Sequence, residues 1–336
     1  MKIGVRVPCY RRWCRAPQVR AIAAAAEELG FASLWVQDHL VAPTGPREEV
    51  LVEGISDWMS ASAPSPGSGA GPGAGPAGAP RPTTVQEYYA GDDWWLEPYV
   101  TWGYLAALTT RVQLASDIVV VPYRNPLVQA KMLGTLDVLS GGRMILGTGS
   151  GHVAAESQAL GIDFAARGRM HDEYLRVIRL LLSQEEVTFD GEFFSFGPLR
   201  PLIETVQQPP PIYVGGNGKR SIRRAAELGD GWLPSVTTPD ALARGLEALR
   251  AACDSIGRPQ LPVIALSLPS LLRLDSPGAM PGRRARQSPA EAIDILGRFE
   301  QLGVDHVALG FPMPDEHVYL DQIAYFGTEV LPSFAR

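Results

Sequence analysis

"LWVQDHL", residues 34–40, begins as a buried strand and ends on ionisable groups. Leu34, Trp35 and Val36 suit a sheet interior, yet Asp38 and His39 follow within three residues. The reading turns on where the strand end points. In an α/β barrel the C-terminal strand ends and the loops after them form the working face. A carboxylate and an imidazole placed there are candidate site residues, although a capping aspartate and a satisfied histidine read equally well from this pair alone.

The same design recurs along the chain. "KIGVRVP" (2–8), "SLWV" (33–36), "VQLASDIVVVP" (112–122), "RMILGTG" (143–149), "PIYVGG" (211–216), "DGWLP" (230–234), "PVIALSL" (262–268) and "DHVALG" (305–310) are short apolar runs. Helical patterns separate nearly all of them. Val19, Ile22, Ala23, Ala26 and Leu29 form one helical face between Pro17 and Gly30. Asn125 with Pro126 reads as a cap and first helical position. Residues 168–183 place Met170, Tyr174, Val177, Ile178 and Leu181 on one side. Apolar strands alternating with amphipathic helices predict a parallel sheet covered on both faces. Eight such units predict an α/β fold, a (β/α)8 TIM barrel. An open doubly wound sheet is the alternative, and the lack of GxGxxG after the first strand counts against its dinucleotide-binding form.

Two stretches depart from the alternation within what reads as one domain over 1–336. "VTFDGEFFSF" (187–196) has an Asp-Gly turn between alternating residues and predicts a hairpin excursion over 186–200. From Ala63 to Pro82, 12 of 20 residues are Gly or Pro. Such a segment buries too little apolar surface to offset its ordering entropy, so a flexible Pro/Gly/Ala-rich insertion loop is expected over 61–83. Trp94 and Trp95 follow it and lead into a helix up to Thr109.

With 46% hydrophobic and 20% charged residues, the 336-residue chain has the composition of a globular protein. A formal net charge of −6 argues against nucleic acid as a partner. No apolar run approaches the roughly 18 residues of a membrane span, and "MKIGVRVPCYRRWCR" lacks the features of a signal peptide. Cys9, Cys14 and Cys253 show neither a disulfide framework nor zinc spacing. A cytoplasmic protein is expected.

The other strand ends add to Asp38 and His39. Asp117 interrupts an apolar run and needs a partner or a backbone irregularity, because an unpaired buried charge is costly. Gly147, Gly149 and Gly151 alternate where a flat ligand would approach the backbone, with His152 and Glu156 after them; plain turn chemistry is the other reading. "VGGNGKRS" (214–221) sets amides of Gly215–Gly218 before a helix start, an arrangement suited to a phosphate monoester. Helix capping remains open there. Lys2, Lys131 and Lys219 are the chain's three lysines, and none stands at a strand end fit for Schiff-base chemistry. A metal centre from His39, Asp117, His152 and Glu156, as in a metal-dependent hydrolase, is a minor alternative.

Taken together, "FASLWVQDHL", "TTRVQLASDIVVVPYRNPLVQAKMLGTLDVLSGGRMILGTGSG", "ARGRMHDEYLRVIRLL" and "PPPIYVGGNGKRSIRRAAELGDGW" resemble the bacterial luciferase-like superfamily, in its coenzyme F420-dependent oxidoreductase branch. The resemblance implies a TIM barrel that binds a flavin-like ring at its C-terminal mouth. It implies that Asp38 and His39 flank the deazaflavin, and that Asp117–Ile118 is a bulged non-proline cis peptide behind the ring. Ser150 and Gly151 match ring-contacting positions; Gly216, Asn217, Gly218, Arg220 and Ser221 match the loop holding the cofactor phosphate. His152 stands where the sugar-phosphate dehydrogenases carry a glutamate, which puts that substrate in doubt and leaves His152 either catalytic or pocket-shaping. The implied activity is hydride transfer between F420 and a small organic substrate (C=C, C=N, or C=O/alcohol), with His39 exchanging the proton. Alternatives are an FMNH2-dependent two-component monooxygenase on the same barrel, with FMN as cofactor, and a non-catalytic flavin-binding relative. A small-molecule substrate and a homodimer are implied, with no nucleic acid or membrane partner. Arg11, Arg12 and Arg15, or Arg283, Arg284 and Arg286, are expected either to meet the anionic cofactor tail or to form a solvated face.

Overall fold

Eight parallel strands close on themselves in a computed structural model that describes residues 1–42, 49–50, 83–84, 94–235, 238–269, 287–311 and 315–334. They are β1 (Lys2–Arg6), β2 (Ser33–Val36), β3 (Gln113–Ser116), β4 (Met144–Gly149), β5 (Ile212–Gly215), β6 (Gly231–Leu233), β7 (Val263–Pro269) and β8 (His306–Gly310). Each pairs with the next in chain order, and β8 pairs back onto β1. This is the expected (β/α)8 barrel. The 61–83 insertion lies outside the described residues except for Thr83, which with Thr84 pairs antiparallel to Glu49–Val50. Arg283, Arg284 and Arg286 also lie outside them.

Eight helices cover the barrel: α1 (Ala16–Glu28), α2 (Pro98–Leu108), α3 (Pro126–Ser140), α4 (Arg167–Ser183), α5 (Lys219–Leu228), α6 (Pro239–Ser255), α7 (Pro289–Gln301) and α8 (Glu316–Glu329). Asn125 caps α3, its side chain accepting from the Leu127 amide at 2.9 Å, with Pro126 in the first turn. Ser288 and Glu291 form a reciprocal capping box on α7. Between strands and helices lies the main core, where α1 contributes Val19, Ile22, Ala23 and Ala26.

A second core fills the barrel. Trp35, Ala115, Ile145, Tyr213, Leu233, Ala265 and Ala308, one from each strand after β1, form a separate buried cluster. Strand β1 makes room for it: a Cβ on Gly4 would stand 2.0 Å from Ser33 Oγ and 2.6 Å from Trp35 Nε1. The Trp35 indole donates to Ser33 Oγ at 2.7 Å, and Ser33 Oγ lies 2.7 Å from His306 Nε2, so the polar atoms of this layer are paired. Their place near the strand starts marks them as stabilising rather than catalytic.

Three features differ from the sequence reading. The third run, 112–122, is broken: β3 stops at Ser116, a short strand Val119–Val120 resumes beside β4, and a 3-10 turn Val121–Tyr123 follows. Asp117, two residues past the inward Ala115, faces the interior just before the break and meets charged and polar partners there. On α4, Met170 and Tyr174 are half-buried, while His171 and Glu173 are buried among the apolar residues. Glu173 earns that place by accepting the Glu192 and Phe193 amides at 2.8 and 2.9 Å, at the turn of the antiparallel pair Val187–Asp190 and Ser195–Leu199. A short helix, Ala154–Ala159, follows β4.

Candidate active site

The C-terminal ends of β1, β2, β3, β4, β5 and β7 carry the polar groups, sorted into four sets. The first surrounds His39, which is 7% exposed. Its Nδ1 lies 2.9 Å from Glu156 Oε2. Glu156, fully buried, reaches back from the short helix after β4. Its carboxylate also accepts the Tyr123 hydroxyl at 2.9 Å and the amides of Leu40 and Val41. Burial pushes the Glu156 carboxyl up, but the hydrogen bond and charge of His39, the Leu40 amide and the Tyr123 hydroxyl outweigh it and hold the group below its ordinary range. Among the described residues, two rings meet the imidazole edge-on: Trp95, with centroids 4.6 Å apart at 70°, and His152, at 5.5 Å and 87°. Burial, with His39 adding to it, lowers the His152 ring to about 3, so His152 is neutral at ordinary pH.

The second set is on the barrel axis. Asp117 is held by Arg6 Nε at 2.8 Å, by the Gln37 amide at 2.6 Å and by the Ser267 hydroxyl. Burial pushes its carboxyl up, and Arg6, Gln37 and Ser267 pull against that shift. The Asp117–Ile118 peptide is cis, as the resemblance implies. Ile118 then fills the space beside two glycines: a Cβ on Gly149 would stand 2.4 Å from Ile118 Cδ1, and one on Gly215 3.0 Å from Ile118 Cγ2. A Cβ on Gly147 would stand 1.8 Å from the Ser116 carbonyl. The glycines of "LGTGSG" thus admit the protein's own backbone and Ile118 first, rather than a ligand. Gly151 has φ +83, and its carbonyl accepts from Arg167 Nε at 3.0 Å; Ser150 beside it is half-buried.

Asp38 belongs to a third set. Arg124 forks onto it with two nitrogens at 2.6 and 2.8 Å, and the Val120 amide donates at 2.9 Å. Arg124 also pairs with Glu97, the cap of α2, at 2.8 Å. Although adjacent to His39 in sequence, Asp38 ties loops together, and the carboxylate on the imidazole is Glu156.

The fourth set is the turn after β5. Gly216 has φ +110, a conformation that favours glycine, and a Cβ there would stand 2.6 Å from Ser221 Oγ. Asn217 clamps the turn, donating to the Ser235 carbonyl at 2.8 Å and accepting its amide at 2.9 Å. Gly218 precedes α5 with no side-chain cap, and Lys219 and Arg220 are exposed. Uncapped amides, the helix dipole, two cations and the Ser221 hydroxyl fit a phosphate.

The sequence motifs can now be set beside known proteins. Residues 83–276 match the family model of luciferase-like monooxygenases, more than half of the chain. The chain belongs to the luciferase-like monooxygenase family. An uncharacterized Mycobacterium tuberculosis protein is 32% identical over 238 residues, 68% of this chain and 75% of that one. An F420-dependent glucose-6-phosphate dehydrogenase of Kineococcus radiotolerans is 37% identical over 158 residues, 43% of this chain and 46% of that one. Among solved structures, a monooxygenase of Streptomyces bottropensis superposes with a TM-score of 0.74 over 100% of both chains at 20% identity, a likeness of fold.

Within this family member, His39, His152 and Glu156 stay together while Asp117, the fourth residue weighed as a metal ligand, stands apart. Asp117 sits with Arg6, Gln37 and Ser267, away from the His39–Glu156 pair; among the described residues no group of three His, Cys, Asp or Glu is placed to hold a metal. Arg15 stacks over Trp94 at 3.8 Å and Arg11 lies over the Tyr10 ring at 5.6 Å. Sequence reasoning missed the partners: Glu156 on His39, Tyr123 on Glu156, Arg124 on Asp38, and Arg6, Gln37 and Ser267 on Asp117. Strand alternation held a signal for two of them, since Arg6 and Gln37 fall on the inward side of β1 and just past the inward Trp35 of β2.

Proposed function

We propose that the chain transfers a hydride between coenzyme F420 and a small organic substrate bearing a C=C, C=N or C=O/alcohol group, and that His39 exchanges the accompanying proton. The observation that carries this reading is the imidazole at the barrel mouth, fixed by a buried carboxylate on one nitrogen and flanked by the Trp95 and His152 rings. The residues fit the cofactor. Gly216, Asn217, Gly218, Arg220 and Ser221 would hold its phosphate, and Ile118, Ser150 and Gly151 would back its ring. When bound, the deazaflavin supplies a carbon that gives or takes hydride where a flavin has its reactive nitrogen. The protein's share is to orient both molecules and to move a proton at His39; an imidazole suits that task near neutral pH. His152, neutral beside it, shapes the substrate side.

The family name and the Streptomyces bottropensis fold support a second reading, an FMNH2-dependent monooxygenase, since the same turn would take the FMN phosphate. Titrating the purified protein with F420 and with FMN separates the two. The first reading expects F420 to bind in preference, and F420H2 absorbance to fall on addition of an imine, enone or ketone. His39→Ala should slow turnover by about 100-fold or more with F420 affinity nearly intact. Preference for FMN would overturn the F420 reading, and unchanged turnover would remove His39 from the mechanism. The proposal includes a homodimer, which sedimentation equilibrium checks.

A further inference from the structure

We propose that Glu156 is a positioning residue that locks His39 in one tautomer, with the proton on Nδ1, so that Nε2 is the atom that exchanges a proton with the substrate. The inference rests on the reading of His39 given above and names the group that makes it work. A carboxylate is an acceptor only. Glu156 already accepts the Tyr123 hydroxyl and the Leu40 and Val41 amides, all donors. The fourth contact, His39 Nδ1 at 2.9 Å, therefore has the imidazole as donor. Nδ1 keeps its proton whatever the ring's charge, and the exchange falls to Nε2.

The surroundings define what else acts on the ring. His152 faces it from the loop after β4, neutral, with Arg167 behind. Tyr123 faces Glu156 from the 3-10 turn. Asp38 is neutralised by Arg124 on the neighbouring backbone. Among the described residues, Glu156 is thus the anion placed to stabilise the imidazolium. In alcohol oxidation the substrate O–H bond would break with its proton passing to Nε2, the electrons of that bond would form the C=O π bond, and the C–H bond would break with its own electron pair leaving as the hydride that a bound oxidised deazaflavin would accept. The reverse step returns the proton from Nε2.

Glu156→Gln tests this while keeping an acceptor for the two amides. Its amide nitrogen can only donate toward Nδ1, which forces the other tautomer, Nε2–H, and removes the base. In 15N-histidine-labelled protein without cofactor, the His39 ring should report a protonated Nδ1 in the parent and a protonated Nε2 in the variant. Turnover should fall by about 100-fold or more, as expected when a base is held in the wrong tautomer. Glu156→Asp, which keeps the charge, should retain the Nδ1–H signal and recover part of the rate. If Glu156→Gln does not fold, Tyr123→Phe serves: it removes one donor from the carboxylate and leaves Glu156 facing Nδ1, so the Nδ1–H signal of His39 should persist. A parent ring protonated on Nε2, a Glu156→Gln variant with the parent's tautomer and rate, or loss of the Nδ1–H signal in Tyr123→Phe would overturn the assignment. Unchanged turnover in His39→Ala would instead sink the proposed function, and the nitrogen signals would still report on Glu156.

Discussion

Asp38 accepts a fork of two hydrogen bonds from Arg124 and a third from the Val120 amide, with its carboxylate out of water. A buried ion pair of this kind adds little over an apolar pair, but removing one partner strands the other charge. Arg124→Ala should therefore cost roughly 3–5 kcal/mol, read as a drop in the urea midpoint at unchanged slope. Arg124→Lys should recover only part of the loss, because an ammonium cannot fork. A small loss in the alanine variant would mean that Asp38 has another partner and is available to a ligand. The same logic separates the glycines of β4. Gly147 is required by the Ser116 carbonyl and Gly149 by Ile118, both internal contacts that a single sequence presents in the same way as a ligand contact.

Elements were legible where periodicity is strong and obscure where a polar residue is buried. The eight strands read correctly because each is a short apolar run bounded by turn residues, and α3 because Asn125 and Pro126 announce it. The third strand read as running to 122 because Val119–Val121 restore its apolar character, and Asp117 alone signalled the irregularity that the cis peptide supplies; the partners of Asp117 come from β1, the end of β2 and β7, far away in sequence. Of the site, the positions at strand ends were visible, since a polar residue ending an apolar run stands out. Their partners were not: Glu156 lies on a six-residue helix too short to show a face. Glu173 was hidden similarly, a carboxylate on the inner side of α4 with a local task. It accepts two turn amides of the hairpin, and a Cβ on Gly191 would stand 2.5 Å from its Cδ. Glu173→Ala should leave those amides without their acceptor and cost about 1–3 kcal/mol. Limited proteolysis should then cut between Asp190 and Ser195 before the barrel opens. Equal protease resistance in parent and variant would show that the hairpin is held by its own strand pairing.

At the scale of the whole molecule, folding withdraws His306 and His171, in addition to His152, from water in uncharged form. His306 is 1% exposed in the barrel, where burial and then the charge of Lys2 lower its ring to about 3. His171 is completely buried on α4; burial, with Arg224 adding, holds it well below its ordinary value, and neither ring nitrogen has a hydrogen-bond partner among the described residues. In the unfolded chain both rings take up a proton near pH 6.5. Below that pH the unfolded state binds more protons than the folded one, so stability falls as pH drops from about 6.5 toward 3, by up to roughly 1.4 kcal/mol per unit for each ring. Carboxylates titrate over part of the same range, and a difference between two proteins cancels them. His171→Leu supplies that difference. At pH 7 it replaces an unpaired buried polar ring with an apolar side chain and should match or exceed the parent. At pH 5 its advantage should grow by about 2 kcal/mol, the free energy of protonating the unfolded imidazole over 1.5 units. Urea midpoints at the two pH values measure it, and an advantage that stays constant would mean that His171 takes up its proton in the folded protein.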